Sequence, residues 1–178
     1  MKKAALSDLN RLSVEAFKQA PKTPVSLVLD NVRSALNVGS AFRTADAFAL
    51  ERIYLCGITC QPPHREIHKT ALGATESVDW EYAPHIQDLI RRLKAEGWLV
   101  LAVEQAAGSL PLQEFVFPAG QKIALVFGNE VHGVGDEAMD LVDGALEVPQ
   151  FGVKHSLNVS VCVGVVVWEL FCKWKFNR

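Results

Sequence analysis

A single α/β domain, with an open, mostly parallel sheet and helices on both faces, is what this sequence predicts. Two observations carry that expectation. From about residue 24 onward, short apolar runs alternate with helical patterns, the order expected of parallel strands joined through helices. Two of the later runs, within 124–134 and 147–170, stop abruptly at glycine, asparagine or proline and leave polar residues at a strand's carboxyl end. That is where open α/β sheets bind ligands. Size and composition agree, since 178 residues, 49% apolar and 21% charged, suit one globular domain with a sizeable core.

The elements follow in order. LSDLNRLSVEAFKQA, within the first residues, reads as a short amphipathic helix ended by Pro21 and Pro24, which divides the chain into a helical extension, 1–23, and a sheet domain, 24–178. VSLVL (25–29), RIYLC (52–56), WLVLAV (98–103), KIALVF (122–127) and ALEV (145–148) are apolar, largely β-branched runs that predict strands, with a more polar one around SVDWEY (77–82). Between them NVGSAFRTADAF (37–48), PHIQDLIRRLKAEG (84–97) and VGDEAMDLV (134–142) predict helices, the second stopped by Gly97. The last element sets two signals against each other. Val159, Val161, Val163, Val165 and Val167 alternate as in a strand, yet Ser156 suits an N-cap and the segment ends in lysines. Ser160 and Gly164 give it one small face, so a helix over 157–174 is expected. The sequence contains no repeat, low-complexity tract or flexible linker.

A formal net charge of −2 and a pI near 6.2 argue against broad affinity for a phosphate backbone, which grows with neutralising Lys and Arg. Any nucleic-acid contact must then come from local patches. MKKAALSDLN lacks the apolar core of a secretory signal, and the later apolar runs are too short or too interrupted to span a bilayer. A soluble, cytoplasmic protein with no membrane partner is therefore expected.

Cys56, Cys60, His64 and His68 approach zinc-ligand spacing. Cys56 sits in an apolar run, however, and QPP at 61–63 breaks any helix that would gather the set. Buried free thiols are the reading adopted, for Cys162 and Cys172 as well, and no metal is expected. GNEVHGVG at 128–135 has the glycine separation of a phosphate loop, but Val134 and Gly135 stand where that loop needs Lys and Ser or Thr. NVGS at 37–40 lacks the further glycines of a dinucleotide fingerprint. Neither a nucleoside triphosphate nor a nicotinamide cofactor is implied.

NVGSAFRTA (37–45), LVFGNEVHGV (125–134) and EVPQFGVKHSLNVS (147–160) together resemble the three motifs of the TrmH (SpoU) branch of the SPOUT RNA ribose 2′-O-methyltransferases, in order and at normal separation. The resemblance spans about residues 24–172. It implies methyl transfer from S-adenosylmethionine to a ribose 2′-hydroxyl of RNA, a homodimer and a C-terminal trefoil knot. It also implies that Gly128, Val148 and Leu157, with Glu104 after LVLAV, meet the cofactor, and that Arg43 is the catalytic residue on RNA. Asn37, Glu130, Ser156 and Asn158 complete the implied catalytic set.

These residue types suit the chemistry. Attack on a sulfonium methyl is an in-line displacement, so positioning supplies much of the rate. Arginine stays protonated, which makes Arg43 a clamp on phosphate and developing alkoxide charge and leaves the proton acceptor open. Asn37 and Asn158 each donate and accept, matching a ribose hydroxyl. Glu130 is expected to orient Arg43 by a paired hydrogen bond, and glycine at 128 permits close backbone approach to a ligand. Read singly, Gly128, Pro149 and Gly152 are also turn formers, Asn37 and Ser156 helix caps, and Glu130 a solvated loop carboxylate. Ser156 beside His155 lacks a G-x-S-x-G elbow, which argues against a serine hydrolase.

Arg33, Arg43, Arg65, Lys69, Lys154 and the terminal KWKFNR are the candidate RNA contacts, with His132 and His155 in loops near the RNA. Transfer RNA is the first expectation, because a compact dimer can grip a small folded RNA without a separate RNA-binding domain, and ribosomal RNA is the second. The alternative is an RNA-binding or assembly protein of the same fold without turnover. A further possibility is a methyltransferase acting on a small metabolite or protein.

Overall fold

The computed structural model describes residues 11–154 and 156–176. The expected helix residues before position 11, His155 and the last two residues of KWKFNR lie outside the described residues. α1 (Val14–Gln19) begins at Ser13, whose hydroxyl accepts from Ala16 N, and its Phe17 packs against the main core. There follow β1 (Thr23–Asp30), α2 (Ala35–Ala47), β2 (Leu50–Cys56), α3 (Arg65–Ala71), α4 (Ala74–Ser77), β3 (Trp80–Ala83), α5 (Ile86–Ala95) and β4 (Leu99–Val103). The chain continues through β5 (Leu110–Pro111), β6 (Ile123–Phe127), α6 (Asp136–Met139), β7 (Gly144–Glu147) and α7 (Val159–Phe176).

The strands form one sheet in the order β3-β2-β1-β6-β4-β7-β5, and every pairing is parallel. All carboxyl ends therefore lie on one edge of the domain. Alternation along each strand divides the apolar residues between two layers. Leu27, Leu29, Ile53, Leu55, Leu125 and Phe127 face a core completed by Phe42 of α2 and Val163, Val167 and Leu170 of α7. Val28, Tyr54, Val100, Ala102, Ala124 and Val126 face a second core under Leu89, Ile90 and Leu93 of α5 and Ala138 of α6. Burying each such Leu, Ile or Phe contributes about 1.5–3 kcal/mol, which is why the central strands read as continuous apolar runs.

The sheet is thus wholly rather than mostly parallel, and several boundaries move. α2 starts at Ala35, because Ser34 caps it by accepting from Asn37 N. Asn158, not Ser156, caps α7: its Oδ1 accepts from Ser160 N at 2.9 Å. Asn37 thus lies inside the first turn of α2 and Ser156 outside α7, so neither is the cap that local reading allowed. The polar strand around 77–82 begins only at Trp80, since Ser77 closes α4. The helix expected over 134–142 shrinks to α6. α3, α4 and β5 are too short to show a period in the sequence. The valine-rich segment is a helix, as the cap and lysine end predict over its alternation.

α2 and α3 cross closely at Gly39, where an added Cβ would collide with Thr70 Oγ1 and the Ile67 carbonyl oxygen. Alanine ordinarily favours a helix over glycine by about 1 kcal/mol. Here overpacking wins: Gly39→Ala should destabilise the protein by about 1–3 kcal/mol, read as a lower urea midpoint at unchanged slope.

Candidate functional site

The carboxyl ends of the neighbouring strands β6, β4 and β7 open onto a cleft of about 570 Å³. Its walls come from Val103 and Glu104 after β4, Phe127 to Gly133 after β6, Glu147, Val148 and Gln150 after β7, and Ser156 to Val159 with Cys162 at the start of α7. Glu104, Gly128, Val148 and Leu157, the expected cofactor residues, all line it, as do Glu130, Ser156, Asn158 and His132. Asn37 does not line it but is hydrogen-bonded to residues that do.

The β6 loop is held by its own asparagine. Asn129 Oδ1 accepts from Val131 N at 2.9 Å and His132 N at 3.3 Å, while Asn129 Nδ2 donates to the Asn31 carbonyl at 2.8 Å. Backbone bonds in both directions between Asn129 and Gly133 close the turn. Gly128 must be glycine for this reason. A Cβ there would collide with the backbone of Gly133 and Val134, so the close approach it permits is to the chain's own turn, not first to a ligand. Glu104 braces the far side, its carboxylate accepting from Gln105 N at 2.9 Å and Val134 N at 3.0 Å.

Glu130 reaches from this loop to the start of α2. Its carboxylate accepts from Arg33 N, Ser34 N and Asn37 Nδ2, each at 3.0 Å. Asn158 Nδ2 then donates to Asn37 Oδ1 at 3.2 Å, which carries the network to α7. Burial disfavours the Glu130 carboxylate, but the donating groups of Arg33, its own backbone, Ser34 and Asn37 outweigh it and hold its carboxyl below the ordinary value of 4.5. The helix dipole at the start of α2 acts in the same sense.

Glu130 therefore does not orient Arg43. Arg43 lies further along α2 on its exposed side, lining a separate hollow with Ser40, Thr44, Phe48, Lys69 and Thr70, and it makes no hydrogen bond or ion pair among the described residues. Within one chain the site gathers every expected residue except this arginine.

Three residues outside the expected set also shape the site. Asn129 stood in the motif without a role. Asp30, 3% exposed, ends β1 and receives Asn31 Nδ2 at 2.8 Å and the backbone N–H of Gly135; burial raises its carboxyl, Gly135 lowers it and Glu137 raises it. Ser34 is the α2 cap. Only a buried position could mark Asp30, at the end of a strand whose apolar run it breaks. Cys162, expected in the core, is half-buried on the cleft wall, and burial, with Glu104 adding to it, pushes its thiol up to about 11. Cys56 is buried in β2, where burial pushes its thiol up to about 12, and His64 Nδ1 accepts from Glu66 N at the start of α3.

The SpoU rRNA Methylase family matches residues 24–168. A tRNA (guanosine(18)-2'-O)-methyltransferase from Thermus thermophilus is 28% identical over 163 residues, which are 92% of this chain and 82% of the relative. An AdoMet-bound rRNA methyltransferase from Sinorhizobium meliloti superposes with a TM-score of 0.78 at 28% identity, over 86% of this chain and 59% of that one. A structure described as addressing 2-OH methylation of C/U34 on tRNA superposes with a TM-score of 0.76 at 26% identity, over 88% of this chain and all of that one.

Because folding lowers the Glu130 pKa, its contribution is complete above the ordinary carboxyl range and lost as pH falls through the folded value. Glu130→Gln, which weakens the charge-assisted bonds to α2, should melt at a lower temperature than wild type near pH 7. That difference should narrow as the pH is taken below about 4.5. Melting curves across pH check both.

Proposed function

Because the chain belongs to the SpoU rRNA Methylase family, we propose that it transfers a methyl group from S-adenosylmethionine to a ribose 2′-hydroxyl of RNA. One observation carries the reading: the expected cofactor residues, arriving from three strand ends and the approach to α7, line one cleft together with Glu130, Ser156 and Asn158. The cleft suits the ligand in size, about 300–1,000 Å³ being usual for small-molecule sites, and in chemistry. Val103, Phe127, Val148 and Val159 supply an apolar wall for an adenine ring, and Glu104 a carboxylate for cationic groups. Bound there, the cofactor supplies an electrophilic methyl group on a sulfonium.

The chain's residues position the nucleophile. Asn37 and Asn158 are locked by Glu130, by each other and by the α7 cap, yet each keeps one amide hydrogen for a ribose oxygen. Arg43, always protonated, holds phosphate and the developing alkoxide charge and takes up no proton. The intact Glu130–Asn37–Asn158 network supports turnover over a purely RNA-binding role.

A homodimer completes this reading. α7 leaves Val161, Val165 and Trp168 exposed on one stripe, Trp168 by 50%, beside the Phe48–Phe171 aromatic cluster. Such a face calls for cover, and a second copy covering it would bring its own Arg43 toward this cleft. The space around Gly164 is open, which leaves the small face of Ser160 and Gly164 free to meet the second copy beside the valines and tryptophan. The trefoil knot belongs to the same proposal. It is supported by β7 lying beyond β4 while α7 returns to pack beside α2, so that the intervening segment crosses the ends of β4 and β6. So do the division at residue 24 and the cytoplasmic location; among the described residues no helix is long and apolar enough to cross a membrane.

Transfer RNA is the proposed substrate class. The two tRNA-directed relatives are covered over 82% and all of their lengths. Ribosomal RNA is the second reading, favoured by the Sinorhizobium meliloti enzyme, of which this chain spans 59%.

Arg43→Ala should lower methyl transfer to unmodified RNA by about a hundredfold or more while leaving S-adenosylmethionine affinity in calorimetry unchanged. Lysine should not restore activity, because a point charge does not reproduce a planar fork. Val165→Glu should yield a monomer at micromolar concentration in analytical ultracentrifugation, with activity lost; a stable, fully active monomer would remove the dimer from the mechanism. Mixing Arg43→Ala with Gly128→Val chains should recover part of the activity, since one cleft and one arginine stay intact across the pair.

A further inference from the structure

α3 borders both the Arg43 hollow and a second cavity of about 560 Å³ that is distinct from the cleft. Pro62, Pro63, Ile67 and Trp80 give it an apolar wall, and His64, Arg65, His68, Thr75 and Glu76 supply polar groups. Trp80 opens the edge strand β3 and is only half-buried against the core. α3 joins the two hollows. Arg65, His68 and Lys69 fall at i, i+3 and i+4, which share one helix face, with Lys69 beside Arg43 and the other two beside Trp80. The rise from Arg65 to Lys69 is about 6 Å.

The charges on this track stand free. Arg52, Arg91, Arg92, Lys94, Lys122 and Lys173 are held in ion pairs. Arg43, Arg65 and Lys69 have none among the described residues. On a chain with net charge −2, these three cations lead from the proposed catalytic arginine to an aromatic hollow. Single-stranded nucleic acid is gripped by this combination, cations along the backbone and an aromatic side chain under a base. The Glu76 carboxylate and Thr75 hydroxyl supply acceptors for a base edge, and His64, with Nδ1 engaged by Glu66 N, keeps Nε2 for a ligand.

We propose that the Trp80 hollow holds one unpaired nucleotide of the RNA near the target, its base on Trp80 and its phosphate on Arg65. This rests on the RNA methyltransferase reading and adds to it a site that selects substrates with an unstacked base beside the modified position. An acidic peptide is the competing occupant.

A fluorescein-labelled uridine decamer tests the proposal, with 5-iodouridine for photocrosslinking. Trp80→Leu should weaken decamer binding about tenfold and Trp80→Phe little, because stacking is worth about 1–3 kcal/mol per base and tolerates any aromatic ring. Arg65→Ala should flatten the slope of log affinity against log salt by about 0.7, one single-strand phosphate contact. The crosslink should map to the peptide containing Trp80, and S-adenosylmethionine affinity should not move in any variant. If wild type methylates RNA yet these variants bind the decamer with unchanged affinity and salt slope, or the crosslink maps elsewhere, the hollow is not an RNA site and the methyltransferase reading stands. If the variants behave as expected but wild type transfers no methyl group to RNA, the hollow stands and that reading fails.

Discussion

The Glu130 carboxylate is the constraint on which the site depends. It belongs to the loop after β6 but spends its acceptors on the backbone of Arg33 and Ser34 and on Asn37, at the entrance to α2. Two adjacent parallel strands, β1 and β6, thereby have the loops at their carboxyl ends joined, and Asn129 to Asn31 makes the same join a second time. Asn158 extends it to α7. The three sequence motifs are thus three strands of one hydrogen-bond network. Loss of any link would release a wall of the cleft as well as a side chain.

That network explains what local reading recovered and what it missed. The central strands were legible because burial on both faces leaves almost nothing but apolar residues in VSLVL and KIALVF. The ends of strands are legible because Gly128 stops KIALVF and Pro149 stops ALEV. Hydrogen-bond partners were not, since Glu130 and Ser34 lie far apart in the chain and nothing in either segment announces the other. Local sequence therefore points Glu130 at Arg43, while the backbone donors at the start of α2 hold it in the fold. Gly128 shows the same limit: the run that ends at it is plain in the sequence, but the backbone it accommodates, that of Gly133 and Val134, is not. α3 was invisible for a different reason, being a single short, polar helix after two prolines.

The separation of Arg43 from the cleft gives the exposed stripe of α7 a meaning. A helix that is apolar nearly all round has more surface to bury than one sheet can cover, and α7 buries Val163, Val166, Val167 and Leu170 on its own core while leaving Val161, Val165 and Trp168 outside. In the proposed homodimer, the assembly that covers those side chains would also supply the missing cation to the cleft. Stability and catalysis then draw on one surface, and the charge needed for RNA is concentrated on α2 and α3 without raising the net charge of the chain.

The most direct measurement is the chemical position of the transferred methyl group. Unmodified tRNA and ribosomal RNA are incubated with this protein and S-adenosylmethionine labelled on its methyl carbon, then hydrolysed with alkali. A methylated 2′-oxygen cannot attack its neighbouring phosphodiester, so the expected label sits in an alkali-stable dinucleotide and becomes a 2′-O-methylnucleoside on further digestion. Label recovered in mononucleotides with a methylated base, or in protein, would contradict the assignment of this cleft and its asparagines to a ribose hydroxyl.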